Sequence, residues 1–86
     1  MSIDAVCWRD MTATLKHPII LDVHKDRHGY RISNRDIWIF GFGDTFDEAM
    51  HDFSSSFMAD VKCWMYDGSG ANQRVDHLME CVEAIS

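Results

Sequence analysis

Apolar and polar residues alternate through the first half of the chain and recur at spacings of three and four through the second. From Ile3 to Leu15, the residues Ile3, Ala5, Cys7, Met11, Ala13 and Leu15 share one parity, while Val6, Trp8, Thr12 and Thr14 share the other. A period of two favours a strand, and a helix aligning Ala5, Trp8, Thr12 and Leu15 stays open. His17 to Lys25 alternates more cleanly, with Ile19, Leu21 and Val23 opposed to Ile20, Asp22 and His24. Pro18 cannot donate to a ladder and so suits a strand start or an edge. Asp26-Arg27-His28-Gly29 supplies a turn, with Gly29 free to take a positive φ. Tyr30 to Ser33 resumes the alternation, and Ser33-Asn34-Arg35-Asp36 reads as a second tight turn. Ile37-Trp38-Ile39-Phe40-Gly41-Phe42 is β-branched and aromatic and apolar on both faces, which predicts a central strand.

A helix start follows. In Thr45-Phe46-Asp47-Glu48 the Thr45 hydroxyl can accept from the Glu48 N–H while the Glu48 carboxylate reaches back to the Thr45 N–H. Gly43 would permit the bend from strand to helix. Phe46, Ala49, Met50, Phe53, Phe57, Val61, Trp64 and Met65 then form one apolar stripe over about five turns. Gly68-Ser69-Gly70 stops this helix. A second stripe, Val75, Leu78, Met79, Val82 and Ile85, predicts a short C-terminal helix with Asn72 as its N-cap. The order is β-β-β-β-α-α. The expected fold class is α+β, with residues 1–86 as a single domain. An antiparallel three- to four-stranded sheet is packed by one long amphipathic helix, plus a short C-terminal helix.

Composition narrows the function. The chain has 86 residues, 47% of them apolar, with three Trp, two Tyr and five Phe, which is incompatible with disorder. Its net charge of −6 works against non-specific nucleic-acid binding. The three cysteines, Cys7, Cys63 and Cys81, are odd in number and form no CxxC pair, which suits reduced thiols. Asp4, Arg9 and Asp10 stand where a secretory leader needs an apolar run, and no stretch is long enough to span a bilayer. A cytoplasmic location is expected.

Residues 30–65 carry a further pattern. An aromatic-rich strand runs into Gly43-Asp44-Thr45-Phe46-Asp47-Glu48-Ala49, and a long amphipathic helix follows. This resembles the HicB-like antitoxin domain, in which a strand, a Gly-(Asp/Glu)-Thr-Leu-Glu-Glu-Ala run and a helix follow in order. The resemblance implies a three- or four-stranded antiparallel sheet with one helix on it, a protein that self-associates, and a small basic ribonuclease toxin as partner. The chain departs from the pattern where family members return to the sheet with a further strand or add a DNA-binding domain. Here a short loop and a second helix are predicted instead.

Candidate chemistry is sparse. Trp38, Phe40 and Phe42 share one parity of the most apolar strand, and Ile37 and Ile39 share the other. One helix cannot cover both faces. The aromatic face is therefore either a partner surface or is covered by the N-terminal segment or C-terminal helix. Trp8 lies on the parity opposite Ile3, Ala5 and Cys7, which suggests exposure or a contact between copies; Trp64 lies on the helical stripe and reads as core. His77 and Cys81 are spaced i,i+4 and His24 and His28 flank a hairpin, but no second close pair completes a zinc set. Ser54-Ser55-Ser56 lies in the helix without a nucleophile turn, and Gly41-Phe42-Gly43-Asp44 lacks the lysine of a phosphate loop.

The sequence therefore points to a protein-binding module rather than an enzyme, antitoxin-like, with no cofactor or metal. Its candidate partner-binding residues are Trp8, Trp38, Phe40 and Phe42. At least a homodimer is expected, paired through the Pro18–Lys25 strand edge or the aromatic face. The alternative is a small α+β domain that stacks RNA bases on its aromatics, with Arg27, Arg31 and Arg35 supplying local charge.

Overall fold

The structure, a computed structural model, describes residues 1–67 and 73–86. Among these, the elements follow in the order β1 (Ser2–Trp8), β2 (Met11–Ile20), β3 (Asp22–Asp26), β4 (Gly29–Asn34), β5 (Ile39–Gly43), α1 (Phe46–Asp67), α2 (Gln73–Glu80) and β6 (Val82–Ile85). The class is α+β. The strands form two antiparallel three-stranded sheets, ordered β1-β2-β6 and β3-β4-β5, where the sequence predicts one.

The segment from Ile3 to Leu15 is a hairpin. Trp8 pairs with Met11 across Arg9-Asp10, and Val6 pairs with Ala13. Partners across such a turn have opposite parity. The buried face is thus the Val6 and Trp8 side of β1 and the Ala13 and Leu15 side of β2. A single parity followed through the turn assigns the wrong face of β1. Arg9 takes φ 54 to close the turn.

Pro18 falls inside β2 rather than at a strand start. The β1–β2 register breaks between Ile3, opposite Ile19, and Ala5, opposite Thr14. The irregularity leaves a stretch around Pro18 that owes no ladder hydrogen bond. The chain then passes from the first sheet to the second at Leu21, which is buried and exchanges backbone hydrogen bonds with Met1 at both its N–H and its carbonyl.

The C-terminal stripe splits into α2 and β6. Val82 lies opposite Leu15 and Ile85 opposite Ala13, with a register shift between Thr14 and Leu15. That shift sets residues three apart on one face of a strand, which copies a helical spacing. Hydrogen bonds from Lys16 to the Cys81 carbonyl, and in both directions between Thr12 and Ser86, extend the pairing. Asn72 and the Gly68–Gly70 stop lie outside the described residues.

Helix α1 runs 22 residues, roughly 33 Å at 1.5 Å per residue. It packs chiefly on β5, with further contact to β4 and β1, and so bridges both sheets. Ala49, Phe53, Phe57, Met58 and Val61 are fully buried beneath it, together with Ile32, Ile37, Ile39 and Leu78. Trp64 is only half-buried and Met65 is exposed, so the stripe outlasts the surface it covers. The N-terminus is capped as expected on one side: the Glu48 N–H donates to Thr45 Oγ1 at 3.1 Å. The Glu48 carboxylate, however, accepts from the Asp44 N–H at 3.2 Å rather than from that of Thr45.

Gly43 has no positive φ and is not a bend. It and Gly41 are contact points. A Cβ on Gly41 would sit 2.5 Å from the Phe53 backbone nitrogen, and one on Gly43 would sit 2.5 Å from that of Ala49. Asn34 is the other keystone. It is buried, donates from Nδ2 to the Ile20 carbonyl at 2.8 Å, and accepts at Oδ1 from the N–H groups of Asp36 and Ile37. It thereby closes the β4–β5 turn and fastens it to the end of β2.

Two outcomes are expected in denaturant unfolding. Gly41→Ala should cost about 3 kcal/mol, because the obstructing atoms are helix backbone and the whole of α1 must move. Asn34→Ala should cost about 2–3 kcal/mol by stranding buried backbone partners, with Asn34→Asp intermediate because it keeps the acceptor. Wild-type midpoints for either alanine variant would refute the corresponding role.

Candidate partner-binding surface

The face of β3-β4-β5 turned away from α1 is assembled by the strand register. His24 lies opposite Arg31, which lies opposite Phe42; Asp22 lies opposite Ser33, which lies opposite Phe40. Directly opposed residues share a face, so these six side chains stand together on one surface. The other face of β5 carries Ile39 and Gly41 under the helix. The alternation read from the sequence therefore holds across β5, with Ile37 and Ile39 buried. Strand β5 is an edge strand rather than a central one. Its two apolar faces reflect α1 on one side and open surface on the other.

Neither the N-terminal hairpin nor α2 covers that outer face. Trp38 is 62% exposed, Phe40 40% and Phe42 59%. A shallow concavity of about 720 Å³ joins Trp38 and Phe40 to Asp22, His24, Arg31 and Arg35. Among the described residues, no carboxylate is ion-paired with Arg31 or Arg35. His24 lies 3.9 Å from Asp26 at the rim.

Trp38 is also a backbone outlier. It precedes β5 in the turn and has φ 53. A non-glycine residue in the left-handed region costs on the order of 1–2 kcal/mol. Glycine or asparagine would suit that backbone better, and most of the Trp38 side chain gains nothing from burial. The fold alone gives no reason for an indole at this position.

Trp8 is not part of this surface. It is half-buried against the core, on the opposite flank of α1 from Trp38. Its ring lies 6.3 Å from that of His51, with the Arg9 guanidinium 4.3 Å and the Lys62 ammonium 5.4 Å from its centroid. Two cations beside the indole face make a local cation–π cluster that ties the hairpin to the helix. The indole Nε1 is buried with no hydrogen-bond partner among the described residues.

The acidic charge gathers elsewhere. Along α1, Asp52, Ser56, Ala59 and Asp60 lie on the flank beside β5, and the basic residues His51 and Lys62 point to Trp8 instead. Asp52 Oδ2 accepts from the Phe42 N–H at 2.9 Å. Nothing in the sequence marks this ten-residue contact, because a carboxylate on the polar side of a helix reads as solvated.

The histidines and cysteines do not converge. The Cys81 thiol donates to the His77 carbonyl at 3.6 Å, while His77 Nδ1 lies 3.7 Å from Glu80 Oε2. Among the described residues, no group of three His, Cys, Asp or Glu side chains is placed to hold an ion. Also among them, no helix is long and apolar enough to cross a membrane. No protein-family model, curated protein or solved structure matches the chain.

Burial pushes the Cys81 thiol up, helped by the nearby charges of Glu80 and Asp36 and opposed by Lys16. Less thiolate is then present near neutrality, so alkylation at pH 8 should reach exposed Cys7 before Cys81, as read by mass spectrometry of tryptic peptides. Equal rates would remove the case for a shielded thiol.

Proposed function

We propose that this chain is a protein-binding module, antitoxin-like in design, which masks a small basic partner through the outer face of β3-β4-β5 and the adjoining flank of α1. The observation that carries the reading is the exposed trio of Trp38, Phe40 and Phe42 on one sheet face, with Trp38 held in an unfavourable backbone conformation. Large exposed aromatics on a rigid sheet are the usual anchors of a protein interface. Backbone strain at an exposed aromatic is a marker of function rather than of stability.

Two further observations support the antitoxin-like form. The run Gly43-Asp44-Thr45-Phe46-Asp47-Glu48-Ala49 joins a sheet strand to the long helix, in the order of the HicB-like pattern. Strand β6 returns the chain to a sheet after the helices, pairing with β2 of the first sheet and not with β3-β4-β5. The net charge of −6 also suits a basic partner.

RNA binding is the second reading. Arg31 stands directly across from Phe42, and Phe40 and Phe42 lie roughly 7 Å apart along one strand, a spacing that lets successive bases stack. The net charge of −6 and the carboxylates of α1 weigh against it.

The test is a pull-down from the native cells with wild-type bait and with Trp38→Gly/Phe40→Ser/Phe42→Ser bait. Wild type should retain a small basic protein, and the triple variant should lose it while still unfolding cooperatively. Trp38→Gly alone should change stability by less than about 1 kcal/mol, because relief of the left-handed strain offsets the lost partial burial. Retention of the partner by the triple variant, recovery of only further copies of this chain, or a salt-dependent shift of single-stranded RNA would each overturn the reading.

A further inference from the structure

Strand β1 stands at one end of the order β1-β2-β6, and no strand lies beyond it among the described residues. The direction of its backbone groups follows from the far side of β2. Thr12 exchanges hydrogen bonds in both directions with Ser86, so its N–H and carbonyl point away from β1. Cys7 lies directly opposite Thr12, and Ala5 directly opposite Thr14. Residues along an antiparallel pair alternate between bonding the partner strand and facing away from it. Cys7 and Ala5 therefore turn their N–H and carbonyl groups to the open edge. The register break beyond Ala5 is taken up by β2, which runs from Thr14 to Ile19 while β1 runs from Ala5 only to Ile3, so β1 stays extended through Asp4.

Charge on this edge is confined to its two ends. Asp4 is exposed, and among the described residues no cation is ion-paired with it. At the other end stands Trp8, with the Arg9 guanidinium 4.3 Å and the Lys62 ammonium 5.4 Å from its ring centroid. A cation–π contact holds a cation without cancelling its charge. Among the described residues no carboxylate is ion-paired with Arg9 or Lys62 either. Between the ends, Ala5, Val6 and Cys7 are small and neutral. With Ile3 and with Met50, His51 and Ser54 of α1 they line a groove of about 330 Å³.

We infer that the occupant of this edge is β1 of a second copy, paired antiparallel about Val6. In this register Ala5 lies opposite Cys7 of the second copy, and the two exchange both backbone hydrogen bonds. Asp4 lies opposite Trp8 of the second copy, on the face that carries Val6, with Cβ atoms roughly 4.5–5.5 Å apart. Its carboxylate then stands beside the cations held at that indole, and the two-fold axis repeats the contact at the other end. A strand acidic at its start and flanked by cations at its end is complementary to itself only when reversed. Pairing in parallel, or sliding to centre on Asp4, sets like charges together. Trp8 lies on the flank of α1 opposite Trp38, so this pairing leaves the aromatic face open and goes beyond the protein-binding reading.

The other strand edges do not offer a second copy the same fit. Strand β3 reversed about His24 sets Asp22 against Asp26, and charge along an edge guards it from pairing. On β5 the outward Phe42 N–H is already taken by Asp52. Strand β6 is four residues long and carries Glu83.

The experiment follows association of the full chain by sedimentation equilibrium in reducing buffer, with hydrogen exchange on the same samples. Wild type should form a dimer, in which the Ala5 and Cys7 amides exchange at least tenfold more slowly than in dilute monomer. Ala5→Pro removes an outward N–H that β2 does not use and should weaken the dimer at least tenfold. Asp4→Lys and Lys62→Glu should each weaken it at least threefold, and the two together should dimerise more tightly than either alone. Both positions are exposed, so this exchange decides the case if Ala5→Pro no longer unfolds cooperatively. The Trp38→Gly/Phe40→Ser/Phe42→Ser variant should dimerise as wild type does, which separates this inference from the reading of the aromatic face. A monomer at every concentration, a dimer lost with that triple variant, a dimer indifferent to a folded Ala5→Pro, or additive losses in the charge exchange would each overturn the inference. A foreign protein that wild-type bait retains and Ala5→Pro bait loses would overturn it in favour of a different strand partner.

Discussion

The closeness of α1 to β5 is the constraint on which the rest depends. Gly41 and Gly43 present bare backbone to the helix, and the helix backbone at Ala49 and Phe53 occupies the space that side chains would need. At that distance Ala49, Phe53, Phe57 and Val61 are fully buried in one core shared with both sheets, and Met58 and Leu78 belong to it too. The glycines also shape the two sides of β5. On the helix side of β5 they leave Ile39 as the one large side chain, and they bring Asp52 within 2.9 Å of the Phe42 N–H at the strand's open side.

The two sheets need a joint, and the joint is polar. Leu21 carries the chain from one sheet to the other and is held at both backbone groups by Met1. Asn34 meets it from the far end of β4, reaching the Ile20 carbonyl while it folds the following turn. A buried amide with three partners is directional in a way that apolar contact is not. It sets the angle at which the β4–β5 turn leaves the sheet, and that turn positions Ile37 inward and Trp38 outward. The outer aromatic face is thereby coupled to a hydrogen-bond network on the other side of the strand.

The surface charge is divided by the same architecture. The basic residues of α1, His51 and Lys62, lie by Trp8, and two of its carboxylates, Asp52 and Asp60, lie beside β5. Arg31 and Arg35 stand on the aromatic face of the sheet. An overall charge of −6 thus describes no one surface of the molecule. It averages over an aromatic face that carries Arg31 and Arg35 beside Asp22, and the α1 flank that carries Asp52 and Asp60.

The periodicity alone determined much of the structure. Alternation in Lys25 to Phe42 and the stripe from Phe46 to Val61 each repeat over enough residues that one buried face is the consistent solution, so the α+β class, the main helix and the inward Ile37 and Ile39 were legible. The Thr45 cap was legible because it acts over three residues. What escaped was decided by contacts between distant residues. A hairpin turn at Arg9-Asp10 inverts the parity of the buried face, and a register shift beside Leu15 gives β6 a helical spacing; neither leaves a local sign. Whether β5 is central or at an edge depends on which strands pair, and apolar residues on both faces suit either position. The separation of Trp8 from Trp38, Phe40 and Phe42, and the acidic wall beside them, exist only once α1 lies across both sheets, because side chains far apart in sequence become one surface through tertiary packing.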